Sequence, residues 1–315
     1  MRGTSFPSGD PAADRRASFA ETLAHLGDLA GAIEALRGAL DLAPGWAAGW
    51  FRLGEYHELL GETQLACDAW THAVEADPAD PLGAGLKRDL LSGAPVADSM
   101  PSAFVELLFD QYAPRFDASL QDKLHYRGPQ ILARALGTAI AAEKALDLGC
   151  GTGLMGEELR PHVRHLAGYD LSQNMLGEAE AKGLYDLLEK RDIGALDLQP
   201  ETWDLITAAD VFIYLGALEQ IIGWCAASLK PGGTLAFTLE RDDSAPLTLR
   251  ESRRFAHSRA YVTDLLAQAG FTGVRLTPCT LRHDRGAPIA SLCITAQRPA
   301  ATRPLQRDGE DSVFA

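Results

Sequence analysis

Positive charge is scarce in this 315-residue chain: 29 Lys and Arg stand against 43 Asp and Glu, a formal net charge of −14 at pH 7. Nucleic-acid affinity rests on neutralising phosphates with Lys and Arg, so that deficit argues against a nucleic-acid partner. Long apolar runs are missing too. None approaches the roughly 18–20 residues of a membrane span, and the start, Met-Arg-Gly-Thr-Ser-Phe-Pro-Ser-Gly-Asp, has no apolar signal core. Cysteine is sparse: residues 67, 150, 225, 279 and 293 show neither close pairing nor metal-ligand spacing. A soluble cytoplasmic protein is expected, with no metal site and with its cysteines acting as small buried hydrophobes.

What is present centres on residues 145–154, Ala-Leu-Asp-Leu-Gly-Cys-Gly-Thr-Gly-Leu. An apolar strand carrying Asp147 feeds into Gly149, Cys150, Gly151 and Gly153, then a helix start. Glycine tolerates φ > 0 and lets backbone approach a ligand closely, while the first amides of a helix favour an electron-rich group. A dinucleotide fingerprint would read G-x-G-x-x-G, but Leu154 breaks it and the pattern is G-x-G-x-G. No P-loop Lys-Ser/Thr follows. Twenty-one residues after Gly149, a second apolar stretch ends at Asp170, placed to meet a ribose diol.

These residues resemble the class I S-adenosylmethionine (SAM)-dependent methyltransferases, in particular the group whose second motif is Gly-Tyr-Asp-Leu-Ser-x-x-Met-Leu, here Gly168 to Leu176. The resemblance runs over about 101–298 and continues through Arg191-Asp192-Ile193, through Trp203 to Val211, and through Leu229 to Leu235, where Pro231 is expected to stop a helix and Gly232-Gly233 to bend the chain into the fifth strand. It implies a Rossmann-like α/β fold with a seven-stranded sheet closed by an antiparallel hairpin at 272–281 and 288–297. SAM is the implied cofactor. The implied binding residues are Tyr112, Asp147, Gly149, Cys150, Gly151, Gly153, Asp170, Leu171, Met175, Asp192, Ile193, Ala209 and Asp210. In this family residues 103–117 form a lid over the cofactor; Tyr112 is preferred there for its polar tip, whereas Phe109 is read as packing on the sheet.

Methyl transfer from a sulfonium is an in-line displacement, so positioning matters most and a base is needed only for a protonated nucleophile. Tyr214 and Glu240 at strand ends, with Arg254 and His257 before the last helix, should converge at the acceptor. His257 is the first candidate base and Glu240 the second. Arg253 and Arg254 are alternatively a clamp for an acidic acceptor. Ala-Asp-Val-Phe stands at 209–212, where an Asn-Pro-Pro-Tyr run would point to amide or adenine amino methylation. An oxygen, carbon, sulfur or small-amine acceptor is therefore expected.

The first hundred residues read differently. Residues 1–15 lack an apolar period and read as a disordered tail. Gly27, Ala32, Leu36, Ala39 and Pro44 recur 34 positions later as Gly61, Ala66, Trp70, Ala73 and Pro78, the tetratricopeptide (TPR) period. TPR-like helical repeats are expected over 16–92, closing with a helix at 80–92, then a linker at 93–101, the methyltransferase domain at 102–298 and a flexible tail at 299–315. Two repeats are too few to bury a continuous core alone, so they should lean on the adjoining domain, a second copy of the chain or a peptide partner. Two rival readings stay open: a protein methyltransferase recruiting its substrate through the repeats, or a catalytically idle SAM-binding scaffold.

Overall fold

The computed structural model describes residues 6–93, 100–113, 116–118, 125–198, 200–284 and 286–300. Among the described residues five helices come first: α1 (Pro11–His25), α2 (Leu29–Leu40), α3 (Ala47–Leu59), α4 (Thr63–Ala76) and α5 (Ala84–Ser92). Residues 6–15 are not a disordered tail. Asp10 caps α1 by accepting from the amides of Ala12 (2.6 Å) and Ala13 (3.0 Å), Pro11 takes the first helical position, and the Trp46 indole donates to the Phe6 carbonyl at 2.8 Å. The signal was local capping chemistry, which an apolar-period criterion overlooks. Residues 1–5, 94–99 of the expected linker and 301–315 of the expected tail lie outside the described residues.

Within the helical unit, α3 and α4 approach closely because Gly54 faces Trp70. A Cβ at Gly54 would lie 2.3 Å from the Trp70 Nε1. Trp70 is fully buried, and its indole donates to the Phe51 carbonyl at 3.2 Å. The unit leans on the rest of the chain through α5: Leu86 and Leu90 share an apolar cluster with Phe104, Leu247, Leu249, Phe255 and Tyr214.

The second part opens with α6 (Ser102–Tyr112), a short turn α7 (Phe116–Ala118) and α8 (Gly128–Leu136). It continues through β1 (Ala142–Leu148), α9 (Leu154–Leu159), β2 (Val163–Asp170), α10 (Gln173–Lys182), β3 (Leu187–Lys190), β4 (Trp203–Ala208), α11 (Glu219–Ser228) and β5 (Leu229–Arg241). Last come β6 (Leu247–Leu249), β7 (Phe255–His257), α12 (Arg259–Gln268), β8 (Thr272–Asp284) and β9 (Ala287–Gln297). Strands β3-β2-β1-β4-β5 run parallel in that order, and β9, antiparallel to β5, pairs with β8. Alternation along β1 divides the core: Ala145 joins the layer of α8 and α9, while Leu146 and Leu148 join that of α11 and α12.

Among the described residues nine strands replace the expected seven. The additions are β6 and β7, an antiparallel hairpin pairing Leu247 with His257 and Leu249 with Phe255. Because β5 pairs with both β4 and β9 over 234–237, these two occupy opposite edges. Glu240 pairs with Ser291 of β9 and with Ala256 of β7, so β7 continues along the β4 edge past the end of β4. Three-residue strands carry too little alternation to be read from sequence. A smaller correction concerns Pro231: α11 has ended at Ser228, and Pro231 to Gly233 fall inside β5, where the β4 register shifts.

Candidate active site

The loops after β1 and β4 leave the sheet at the point where strand order reverses, and an open α/β fold binds ligands in that crevice. Here the two loops touch. Gly149, with φ +61°, has no room for a side chain, since a Cβ would lie 2.5 Å from Val211. Gly151, with φ +53°, is the opposite case: among the described residues its Cβ would meet nothing closer than Phe116 at 4.0 Å, leaving open space on the crevice side. That space belongs to a cavity of about 480 Å³. Of the expected binding residues, Tyr112, Gly149, Cys150, Gly151, Asp170, Leu171, Asp192, Ile193, Ala209 and Asp210 line it.

Asp170 ends β2 with one carboxylate oxygen accepting from the Gly151 amide and the other from the Ser172 amide, both at 2.8 Å. Burial raises its pKa, against the opposing pull of those amides. Asp192 accepts from the Gly194 amide at 2.8 Å and from the Ser102 hydroxyl at 2.5 Å. Across the mouth lies α6, held at three points: Ser102 on Asp192, Glu106 on Lys190 at 2.5 Å, and Asp110 accepting from the Ser172 hydroxyl at 2.5 Å. Phe109 of α6 does not merely pack on the sheet; it lines the cavity, edge-on to Phe116 (5.9 Å) and Tyr214 (5.3 Å).

Three expected binding residues lie elsewhere. Asp147 turns beneath the loop, where the hydroxyls of Tyr185 (2.8 Å) and Thr207 (2.9 Å) donate to it, and burial pushes its pKa up to about 7. It braces the loop from below. Gly153 (φ +90°) starts α9 beside Tyr185, and Met175 is fully buried on α10. Neither lines the cavity.

The base assignments are corrected more firmly. His257 sits on β7, fully buried and outside the cavity lining, its Nε2 2.8 Å from the Gly216 carbonyl. A carbonyl only accepts, so Nε2 carries the proton. Nδ1 is buried with no partner among the described residues, and burial lowers the ring's pKa. Glu240 is also outside the lining, 1% exposed, and bonded to Arg282, with Arg250 at 3.3 Å on its other oxygen. Both groups are committed to structure. Tyr214 alone of the three catalytic candidates lines the cavity.

The residue that sequence reasoning missed is Arg282. Near the end of β8 it is 2% exposed, lines the cavity and pairs with both Asp210 and Glu240. Asp210 itself holds a left-handed backbone at φ +63° while its amide donates to the Thr238 hydroxyl at 2.8 Å. Such strain costs on the order of 1–3 kcal/mol in a non-glycine residue and persists only where surroundings enforce it. Tyr126, missed as well, places its hydroxyl 3.4 Å from the Ala209 carbonyl in the same wall.

Residues 120–276 match the model of a family described as a methyltransferase domain. Over this segment the chain is similar to methyltransferase domains. A protein of Methylococcus capsulatus named ubiquinone biosynthesis O-methyltransferase is 34% identical over 116 residues, 35% of this chain and 49% of that protein. A Coxiella burnetii protein of the same name is 32% identical over 113 residues, 34% and 48% of the two chains. The chain thus spans about half the length of the curated relatives it matches. Among solved structures, the [4+2]-cyclase SpnF aligns with a TM-score of 0.53 at 17% identity, covering 65% of this chain and 98% of its own. The N-methyltransferase NodS of Bradyrhizobium japonicum, in complex with S-adenosylhomocysteine, aligns at 0.50 and 22%, covering 62% and 98%. These two likenesses concern fold alone, and one of the two proteins is named as a cyclase; the chemistry rests on the cavity itself.

That cavity has two ends. Asp170, Asp192 and the glycine loop offer carboxylates and bare backbone at one; Tyr214, Tyr126, Phe104 and arginines offer aromatic walls and guanidinium groups at the other. Among the described residues no group of His, Cys, Asp or Glu is arranged to hold a metal ion, and no helix is long and apolar enough to cross a membrane.

Proposed function

We propose that the chain is a SAM-dependent methyltransferase acting on a small-molecule acceptor, with oxygen favoured over carbon, sulfur or a small amine by the O-methyltransferase name of its relatives. The observation that carries the reading is the crevice floored by Gly149, Cys150 and Gly151 with the Asp170 carboxylate in its wall. The residues present fit the cofactor. Gly151 leaves room where any side chain would intrude, Asp170 is the partner for a ribose diol, Asp192 for an adenine amino group, and Leu171 and Ile193 provide apolar contact. When bound, SAM supplies a methyl group already activated on a sulfonium. The protein then has to exclude water and aim the acceptor. Helix α6, stapled over the mouth with Phe109 facing inward and the half-exposed Tyr112 at the rim, serves exclusion, and Tyr214 with Tyr126 orients the acceptor. With His257 and Glu240 committed elsewhere, positioning carries the transfer, and an acceptor hydroxyl gives up its proton to water as its oxygen takes the methyl group.

Calorimetry on the full chain tests this. S-adenosylhomocysteine should bind and NAD should not, and Asp170→Ala should weaken binding by about 1.5–3 kcal/mol through lost charge-assisted hydrogen bonds. Unchanged affinity in a folded Asp170→Ala protein would overturn the assignment.

We further propose that 16–92 are TPR-like repeats docked in cis, the α5 contact with Phe104 and Phe255 supporting docking over a free peptide-binding role. The close Gly54–Trp70 approach is what a repeat hairpin requires. Trp70→Ala should cost about 3–5 kcal/mol, like other large core truncations. A melting curve left unmoved by the substitution would count against the repeat packing.

A further inference from the structure

The β6–β7 hairpin brings charge as well as strands. Its connecting loop, residues 250–254, is closed by two backbone hydrogen bonds, Arg250 N to Arg254 O at 2.9 Å and Arg253 N to Arg250 O at 2.7 Å, and carries three arginines. Their fates differ. Arg250 is spent on Glu240, at 3.3 Å, and on the Arg241 carbonyl, at 2.7 Å. Arg253 is held at φ +58° with its guanidinium 5.0 Å from the centre of the Phe104 ring, and it lines the cavity. Arg254 also lines the cavity, half-buried, and makes neither an ion pair nor a side-chain hydrogen bond among the described residues.

A charge count over this end of the cavity is informative. The carboxylates are Asp210 and Glu240, and both are already paired with Arg282, Glu240 with Arg250 in addition. Arg253 and Arg254 form no ion pair among the described residues; Arg254 adds only its field to that of Arg282 and Arg250 on Glu240, so four arginines share two carboxylates in a chain whose acids exceed its bases by 14. Guanidinium groups lining a partly enclosed cavity with Phe104, Phe109 and Tyr214 lose hydration, and the two carboxylates at this end do not balance four of them. A carboxylate supplied by a ligand would restore the balance, and a planar guanidinium binds one in a bidentate fashion.

We propose that the hairpin loop is the acceptor-specificity element of this cavity, and that the acceptor is an aromatic acid whose carboxylate is held by Arg254, with Arg253 on Phe104 shaping the adjoining ring pocket. This rests on reading the cavity as a methyl-transfer site. The ring would lie among Phe104, Phe109 and Tyr214, and the carboxylate anchor would fix which ring substituent faces the cofactor. Nothing in the loop reacts; Arg253 and Arg254 bind and orient.

The test uses the full chain saturated with S-adenosylhomocysteine, titrated with 3,4-dihydroxybenzoate and with its uncharged counterpart 3,4-dihydroxybenzamide. The benzoate should bind about tenfold tighter, the equivalent of about 1.4 kcal/mol, and the preference should shrink with added salt. In Arg254→Gln the two should bind alike, while affinity for S-adenosylhomocysteine stays within about twofold. Equal binding of both probes by the native protein, absence of binding by either, or a preference surviving in Arg254→Gln would overturn the proposal. So would a tenfold loss of S-adenosylhomocysteine affinity in Arg254→Gln, since the arginine would then belong to the cofactor. If S-adenosylhomocysteine fails to bind the native chain at the outset, it is the methyltransferase reading that falls. Should Arg254→Gln not fold, Arg254→Lys serves: it keeps the charge but loses the bidentate geometry, and the preference should fall without vanishing.

Discussion

Asp170 reaches the Gly151 amide across 19 residues of chain, whereas Arg282 reaches Glu240 across 42 and Asp210 across 72. That contrast separates the two ends of the cavity. The cofactor end is made by consecutive β-strand, turn and helix segments, so its geometry follows from local rules: glycines where φ is positive, an acid at a strand end, a serine capping the next helix. The acceptor end is assembled from α6, the loop after β4, the β6–β7 hairpin and the far end of β8, and no short window of sequence contains it. Local construction is repeated with little change across a fold. Long-range construction is where one chain can come to differ from another.

Legibility follows the same division. The glycine loop, Asp170 and Asp192 were readable because the residues that shape them are sequence neighbours, and ten of the thirteen expected binding residues line the cavity. Asp147 was misread for the same reason in reverse. Its spacing before Gly149 is regular, but whether it faces ligand or core is decided by Tyr185 and Thr207, 38 and 60 residues away. His257 had the right chemistry and the wrong address: pairing of β7 with β5 turns it to the Gly216 carbonyl, and a strand of three residues announces no such pairing. Arg282 gave no signal at all, since an arginine near a strand end reads as surface until the carboxylates opposite it are known. In the helical part the 34-residue period was plain, while the α1 cap was overlooked because its inner face is mostly alanine.

The comparison can be broken hardest at Arg282. Arg282→Leu leaves the buried Glu240 with one guanidinium fewer and Asp210 without an ion-pair partner among the described residues, and losing one member of a buried charge network costs about 3–5 kcal/mol of stability. Chemical denaturation should show that loss. Material that remains folded should still bind S-adenosylhomocysteine, because Asp170 and Asp192 are held by the amides of Gly151, Ser172 and Gly194, outside this network. A loss below about 1 kcal/mol, or cofactor binding that collapses along with stability, would show that the two ends are not built independently.

Gly151→Val sharpens the other side. At φ +53° a β-branched residue is strained, and its side chain would project into the open space the glycine leaves. Affinity for S-adenosylhomocysteine should drop at least about 100-fold, roughly 2.7 kcal/mol, with a smaller change in melting temperature, since among the described residues no atom lies within contact distance except Phe116 at 4.0 Å. Retained affinity would mean the cofactor does not pass over Gly151.

The smallest expected effect concerns the brace beneath the loop. Burial raises the pKa of Asp147 from 3.8 to about 7, so between those values the folded protein keeps a proton that the unfolded chain has released. Stability linked to this group therefore falls as pH rises across that window, and the penalty is complete above pH 7. Asn cannot ionise, and it can still hydrogen-bond to Tyr185 and Thr207, whose hydroxyls are free to rotate. Asp147→Asn should match the native protein near pH 4.5 and exceed it near pH 8, by on the order of 1–2 kcal/mol once relaxation is allowed for. Melting curves at the two pH values measure the difference directly. A difference independent of pH would place the ionised carboxylate comfortably in its pocket, and the brace would then be a charged contact of the loop.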